Sequence, residues 1–196
     1  MKKLILLALL ITSIYPAFAQ RPRVKEGNIE TLKGIKKINL KYDYSGMEVG
    51  KKAEKEYIAE KKEALNKKES GRGDKWEKDW YSDRNRRFEP RFEEEFNKYC
   101  EIKAGNYPTE KYTMTFRTVF TEPGFNIGIT RKNAYIDGEV IIVETANPDK
   151  IIVKMEISNC PGRTFMGNDY DTGERIQEAY AMAGKGLAKY FSKNVE

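Results

Sequence analysis

Histidine is missing from all 196 residues. Its absence excludes Ser-His-Asp and Cys-His nucleophile systems, His-ligated zinc and the commonest general base. Cysteine is almost as scarce: Cys100 and Cys160 are the only two, too few for a four-thiolate zinc site. No apolar run after the opening residues reaches the length of a membrane-spanning helix. Internal repeats and glycine-rich phosphate loops are also lacking, and nothing marks a cofactor or a metal.

The opening residues carry an address. Met1-Lys2-Lys3 is cationic, residues 4–14 are apolar, and Ala17-Phe18-Ala19 has the small-x-small spacing of a signal-peptidase site. The expected organisation is a signal peptide at 1–19, cleaved between Ala19 and Gln20, a flexible lead-in at 20–34 and one domain at 35–196. Gln20 stands where a lipoprotein carries its lipidated Cys, so no membrane anchor is expected and the product is periplasmic or secreted. Loss of Lys2 and Lys3 takes the formal charge from +6 to +4. Basic and acidic residues are interspersed, which together with the exported address argues against a nucleic-acid partner. An oxidising compartment admits one disulfide between Cys100 and Cys160; two separate buried thiols are the alternative.

Periodicity supplies the elements. Ile38, Leu40, Tyr42 and Tyr44 alternate with polar residues and predict a strand, and residues 49–68 have helical spacing. Trp76 and Trp80 lie one turn apart, suggesting a short helical piece. Phe88, Phe92, Phe96 and Tyr99 continue at turn spacing, with a helix start or kink near Pro90. Strands follow at 112–121, 134–145 and 151–157, the last two separated by an Asn147-Pro148-Asp149 turn. A final helix is capped by Asp171 with Glu174 three residues on. Its apolar stripe runs from Ile176 to Phe191, and its small residues permit close packing. The order strand, helix, helix, strand, strand, strand, helix predicts an α+β two-layer sandwich. Its mixed four-stranded sheet has one parallel crossover followed by an antiparallel meander, with helices mostly on one face.

Each candidate site has a plain structural alternative. Asn168, Asp169, Asp171 and Glu174 form an acidic cluster whose spacing fails the calcium-loop pattern and suits a loop and helix cap. Asp137 and Glu139, with Glu122 or Asp169, are the carboxylates for a glycosidase pair, or else solvated strand charges. Trp76, Trp80 and Tyr81 suit stacking on sugar rings, or a helix face packed on a core. Arg84, Arg86 and Arg87 suit an anionic partner, or a solvated helix face. Arg72-Gly73-Asp74 matches an adhesion tripeptide that arises easily by chance. Phe125, Ile127 and Ile129, in a connection punctuated by Gly124 and Gly128, either extend a strand or form an exposed patch for a partner. Phe165 and Met166 belong to a second loop of that kind.

Four motifs stand out: Tyr42-Asp43-Tyr44-Ser45-Gly46-Met47 with Val49-Gly50; Phe88-Glu89-Pro90-Arg91-Phe92; Phe120 through Gly128; and Asp171-Thr172-Gly173-Glu174-Arg175-Ile176. Together they resemble those of a family of small exported Bacteroidota proteins that carry no assigned function. The resemblance covers most of the mature chain and implies no catalytic residue. The element order is also similar to envelope proteins of the LpoB, CsgG and TolB amino-terminal type, which implies an adaptor or assembly part. The leading expectation is therefore a non-enzymatic envelope adaptor or binding module for a protein or glycan partner. A carboxylate-dependent hydrolase acting on envelope glycan is the alternative, and a small-ligand carrier the second.

Overall fold

The computed structural model describes residues 21–162 and 170–195. The cleavage site at Ala19 and Gln20 lies outside the described residues, as do Phe165, Met166, Asn168 and Asp169. The described chain is a mixed α+β fold. Its strands are β1 (Arg23–Gly27), β2 (Lys37–Asp43), β3 (Glu48–Val49), β4 (Lys52–Ala53), β5 (Lys103–Gly105), β6 (Tyr112–Glu122), β7 (Phe125–Asn126), β8 (Arg131–Lys132), β9 (Ala134–Glu144) and β10 (Asn147–Gly162). Its helices are α1 (Glu54–Asn66), α2 (Arg72–Asp83), α3 (Glu89–Tyr99) and α4 (Thr172–Asn194).

The four strands predicted from alternation are β2, β6, β9 and β10, but the sheet holds eight strands rather than four, ordered β1-β10-β9-β6-β2-β5 with β3 and β4 at the side. The additional strands are two to five residues long, too short to show a period of two. β1 is exposed along its whole length and follows β10 antiparallel, with Arg23 opposite Glu156 and Gly27 opposite Val153. The lead-in is thus built into the sheet edge, and a 3-10 turn after it buries Ile29 and Leu32. β2 and β6 are parallel, as the intervening helices require, and β6, β9 and β10 form the antiparallel meander. The β9–β10 turn falls at Thr145-Ala146; Pro148 and Pro161 both lie within β10.

Register sorts the side chains. Met114 and Phe116 of β6 sit opposite Ile142 and Val140 of β9, which sit opposite Val153 and Met155 of β10. All six are buried beneath α3 and α4. The alternate positions carry a ladder of charges: Arg117 lies 3.5 Å from Glu139, and Lys154 lies 3.2 Å from the same carboxylate. α3 and α4 cross closely because Gly184 has no side chain; a Cβ there would stand 2.3 Å from the Phe92 carbonyl oxygen. Phe92 packs on Phe116 at 4.7 Å between ring centroids and Phe96 on Phe191 at 5.4 Å. These aromatic contacts join both helices to the sheet.

The disulfide expectation is corrected: Cys100 and Cys160 are both buried and are not bonded to each other. Cys160 lies near the start of α4, where a Cβ on Gly162 would meet the Arg175 carbonyl oxygen at 1.9 Å. Cys100 lies near its end, where the Ser192 hydroxyl donates to the Tyr99 carbonyl at 3.1 Å. About 25 Å of helix therefore separates the two neighbourhoods, far beyond the ~7 Å Cα limit for a bridge.

Candidate functional site

α2 and α3 form one helical run interrupted by a π turn over Arg84–Phe88. Pro90, in the first turn of α3, has no N–H to give to the preceding turn. The Glu89 N–H donates instead to the Arg84 carbonyl, five residues back. The wider turn re-aims the arginines that follow Asp83.

Those arginines gather carboxylates from two distant parts of the chain. Asp83, only 8% exposed, accepts Arg86 Nη2 and Arg87 Nε on its Oδ1, each at 3.1 Å. Arg87 Nη1 reaches Asp171 Oδ1 at 3.1 Å and Glu174 at 3.7 Å. The same Asp171 oxygen accepts the Glu174 N–H at 3.1 Å and so caps α4. Gly173 is what admits this approach: a Cβ there would lie 2.4 Å from Asp83 Oδ2 and 2.5 Å from Arg87 Nη1.

An aromatic wall adjoins the charges. Tyr57, Trp76 and Trp80 pack with centroid separations of 6.0 Å for Tyr57–Trp76 and 5.5 Å for Trp76–Trp80. Trp80 is buried and gives its indole N–H to Glu54 at 2.7 Å, where Arg84 also binds at 2.5 Å. Trp76 is half-buried. Between this wall and the first turn of α4 lies a cleft of about 490 Å³ with Lys75, Asp79, Asp83, Arg86 and Arg87 among its charged lining.

Electrostatics limit what the cleft does. Burial pushes the Asp83 carboxyl above its ordinary range, against the opposing pull of Arg87 and Arg86. The Lys75 hydrogen bond at 2.7 Å holds Asp79 below that range. Burial lowers Arg87, but Asp83, Asp171 and Glu174 outweigh it and hold the guanidinium above its usual value. Each cleft carboxylate has a cation beside it: Lys75 on Asp79, Arg86 and Arg87 on Asp83, and Arg87 on Asp171. The arrangement sets charged and polar groups beside an aromatic surface.

The predicted site residues separate into those the cleft uses and those it does not. Trp76, Trp80, Arg86 and Arg87 converge there. Tyr81 is exposed and carries the Arg84 guanidinium over its ring at 5.1 Å, with Tyr44 on the same cation at 4.1 Å. Asp137 accepts the Asn159 N–H at 2.6 Å, Glu139 is shared by Arg117 and Lys154, and Glu122 binds Lys132 at 2.6 Å. Each of the three is thus engaged by a donor of its own. Arg72, Gly73 and Asp74 form the first turn of α2, with Asp74 bound to Lys62 at 2.9 Å. Phe125 and its neighbours form a separate hairpin, β7–β8. Sequence reasoning missed Asp79, Asp83 and Gly173. Helical spacing between Asp83 and Arg87 offered a signal, whereas the approach of Asp171 across 84 residues offered none. The chain matches no protein-family model, no curated protein and no solved structure.

Proposed function

We propose that this chain is an exported binding module that holds a glycan in the cleft between α2 and the start of α4 without cutting it. One observation carries the reading: Trp76 lines an open cleft in which every carboxylate is held by an arginine or a lysine. A sugar ring presents C–H groups to an aromatic surface and hydroxyls to charged hydrogen-bonding groups. Asp79 and Arg86, on the solvent side of the cleft, supply the second kind of contact. A small-ligand carrier would need a deep apolar cavity, and this cleft is lined by charges. The leader supplies the envelope setting, in keeping with the adaptor role that the element order suggests.

Titration with soluble oligosaccharides from envelope glycan, read by tryptophan emission, tests the proposal. The expected result is a saturable change that weakens at least about tenfold in Trp76→Ala, with the circular dichroism of the parent retained. Absence of any saturable change overturns it. Release of new reducing ends, abolished by Asp83→Asn, would replace it with the hydrolase reading.

A further inference from the structure

The β7–β8 hairpin is a rigidly mounted apolar tip. Phe125 pairs with Lys132 and Asn126 with Arg131. The turn closes through an Ile127 N–H to Thr130 carbonyl bond at 3.1 Å. Gly128, at φ +85°, receives the Asn126 side-chain oxygen on its N–H at 2.9 Å. Phe125 is 42% exposed, Ile127 66% and Ile129 94%. The base is tightly held. Glu122 accepts the Gly124 N–H at 3.0 Å and binds Lys132 at 2.6 Å. A Cβ on Gly124 would stand 2.4 Å from the Lys132 carbonyl oxygen.

Glu122 at the base is paired with Lys132, and the tip beyond it carries no acid. Residues 123–136 include Arg131 and Lys132 and no acid. The β3–β4 turn lies alongside, fixed by the Gly50 N–H to the Thr121 carbonyl at 2.9 Å, and adds exposed Lys51 next to Pro123 and Gly124. Three apolar side chains fall far short of the ~800 Å² per partner of a stable protein interface. A bilayer surface makes no such demand: it takes up small apolar groups without shape complementarity and rewards a cationic collar when its headgroups are anionic.

We propose that this hairpin docks the protein onto an anionic lipid surface, with Ile127 and Ile129 entering the interfacial region and Lys51 and Arg131 facing the headgroups. The attachment is peripheral and reversible, and it is separate from the glycan cleft.

Co-sedimentation of the full chain with vesicles of phosphatidylcholine, alone or with about 30% phosphatidylglycerol, tests it. The leader is common to parent and variants, so differences between them report the hairpin. The expected result is partition onto the anionic vesicles at least about tenfold stronger for the parent than for Ile127→Ser/Ile129→Ser. Lys51→Glu/Arg131→Glu is expected to lose the preference for anionic over neutral vesicles. The single variant Ile129→Ser removes a side chain that packs on almost nothing, and its partition is expected to fall part of the way. Equal partition of parent and serine variants, indifference of the parent to lipid charge, or no partition at all overturns the proposal.

Discussion

Arg175 holds Pro123 from the first turn of α4: its Nε donates to the Pro123 carbonyl at 3.2 Å, and its Nη2 donates to the Gly124 carbonyl at 3.2 Å. Arg175 is 3% exposed and the Pro123 bond is buried, so removing the side chain leaves the Pro123 carbonyl unpaired. Arg175→Met is expected to cost about 3 kcal/mol, chiefly from the unpaired carbonyl group. Urea unfolding checks the loss. Hydrogen exchange over 124–132 should accelerate relative to β9, because the base of the hairpin is released first.

Gly184 has the opposite vulnerability. Alanine is the better helix former by ~1 kcal/mol, yet Gly184→Ala is expected to lower stability by about 1–3 kcal/mol because its Cβ meets the Phe92 backbone. A fall in thermal midpoint, despite the gain in propensity, is the outcome to look for. A rise would mean that α3 and α4 separate without loss.

The thiols give a chemical test of the fold. Unfolding in denaturant without reductant should release both of the chain's cysteines to a thiol reagent. In the native protein Cys160 should react far more slowly, since burial pushes its thiol well above the ordinary range and excludes the reagent.

Burial raises the carboxyls of Asp83, Glu89 and Glu93 above their usual values. An acid so raised binds its proton more tightly in the folded state. Its contribution to stability is complete below the unfolded value of about 4 and is lost as pH rises through the folded value. For Glu93, burial is the sole cause, so Glu93→Gln is the clean variant. Its urea midpoint relative to the parent should improve steadily as pH rises from about 4 to 7. A difference independent of pH would show that Glu93 is solvated.

The legible parts of this protein are the ones whose signal repeats along the chain. β2, β6, β9, β10 and α4 each carry several apolar positions in register, and the Asp171 side chain receives the Glu174 N–H as its spacing implies. β1 and β5 show no such period, because they are held by backbone hydrogen bonds to an edge that another part of the chain supplies. The cleft was legible by halves. Trp76 and Trp80 announce a common helical face, but nothing in their surroundings announces that Gly173 brings the start of α4 against Asp83. In the hairpin, sequence showed apolar residues between glycines and left open whether they extend a strand or stand in solvent. Tertiary structure made the choice: among the described residues β7 pairs only with β8, and Ile129 is 94% exposed.

By itself, then, the sequence determined the class of fold, the main strand and helix identities, the α4 cap and the exclusion of histidine chemistry, because those follow from composition and from contacts a few residues apart. Only the tertiary structure decided that the two cysteines stand apart, that Arg87 bridges Asp83 to Asp171, and that the sheet gains its edge strands. Each of these depends on where residues far apart in the chain come to rest, and a one-dimensional pattern carries no distance between them.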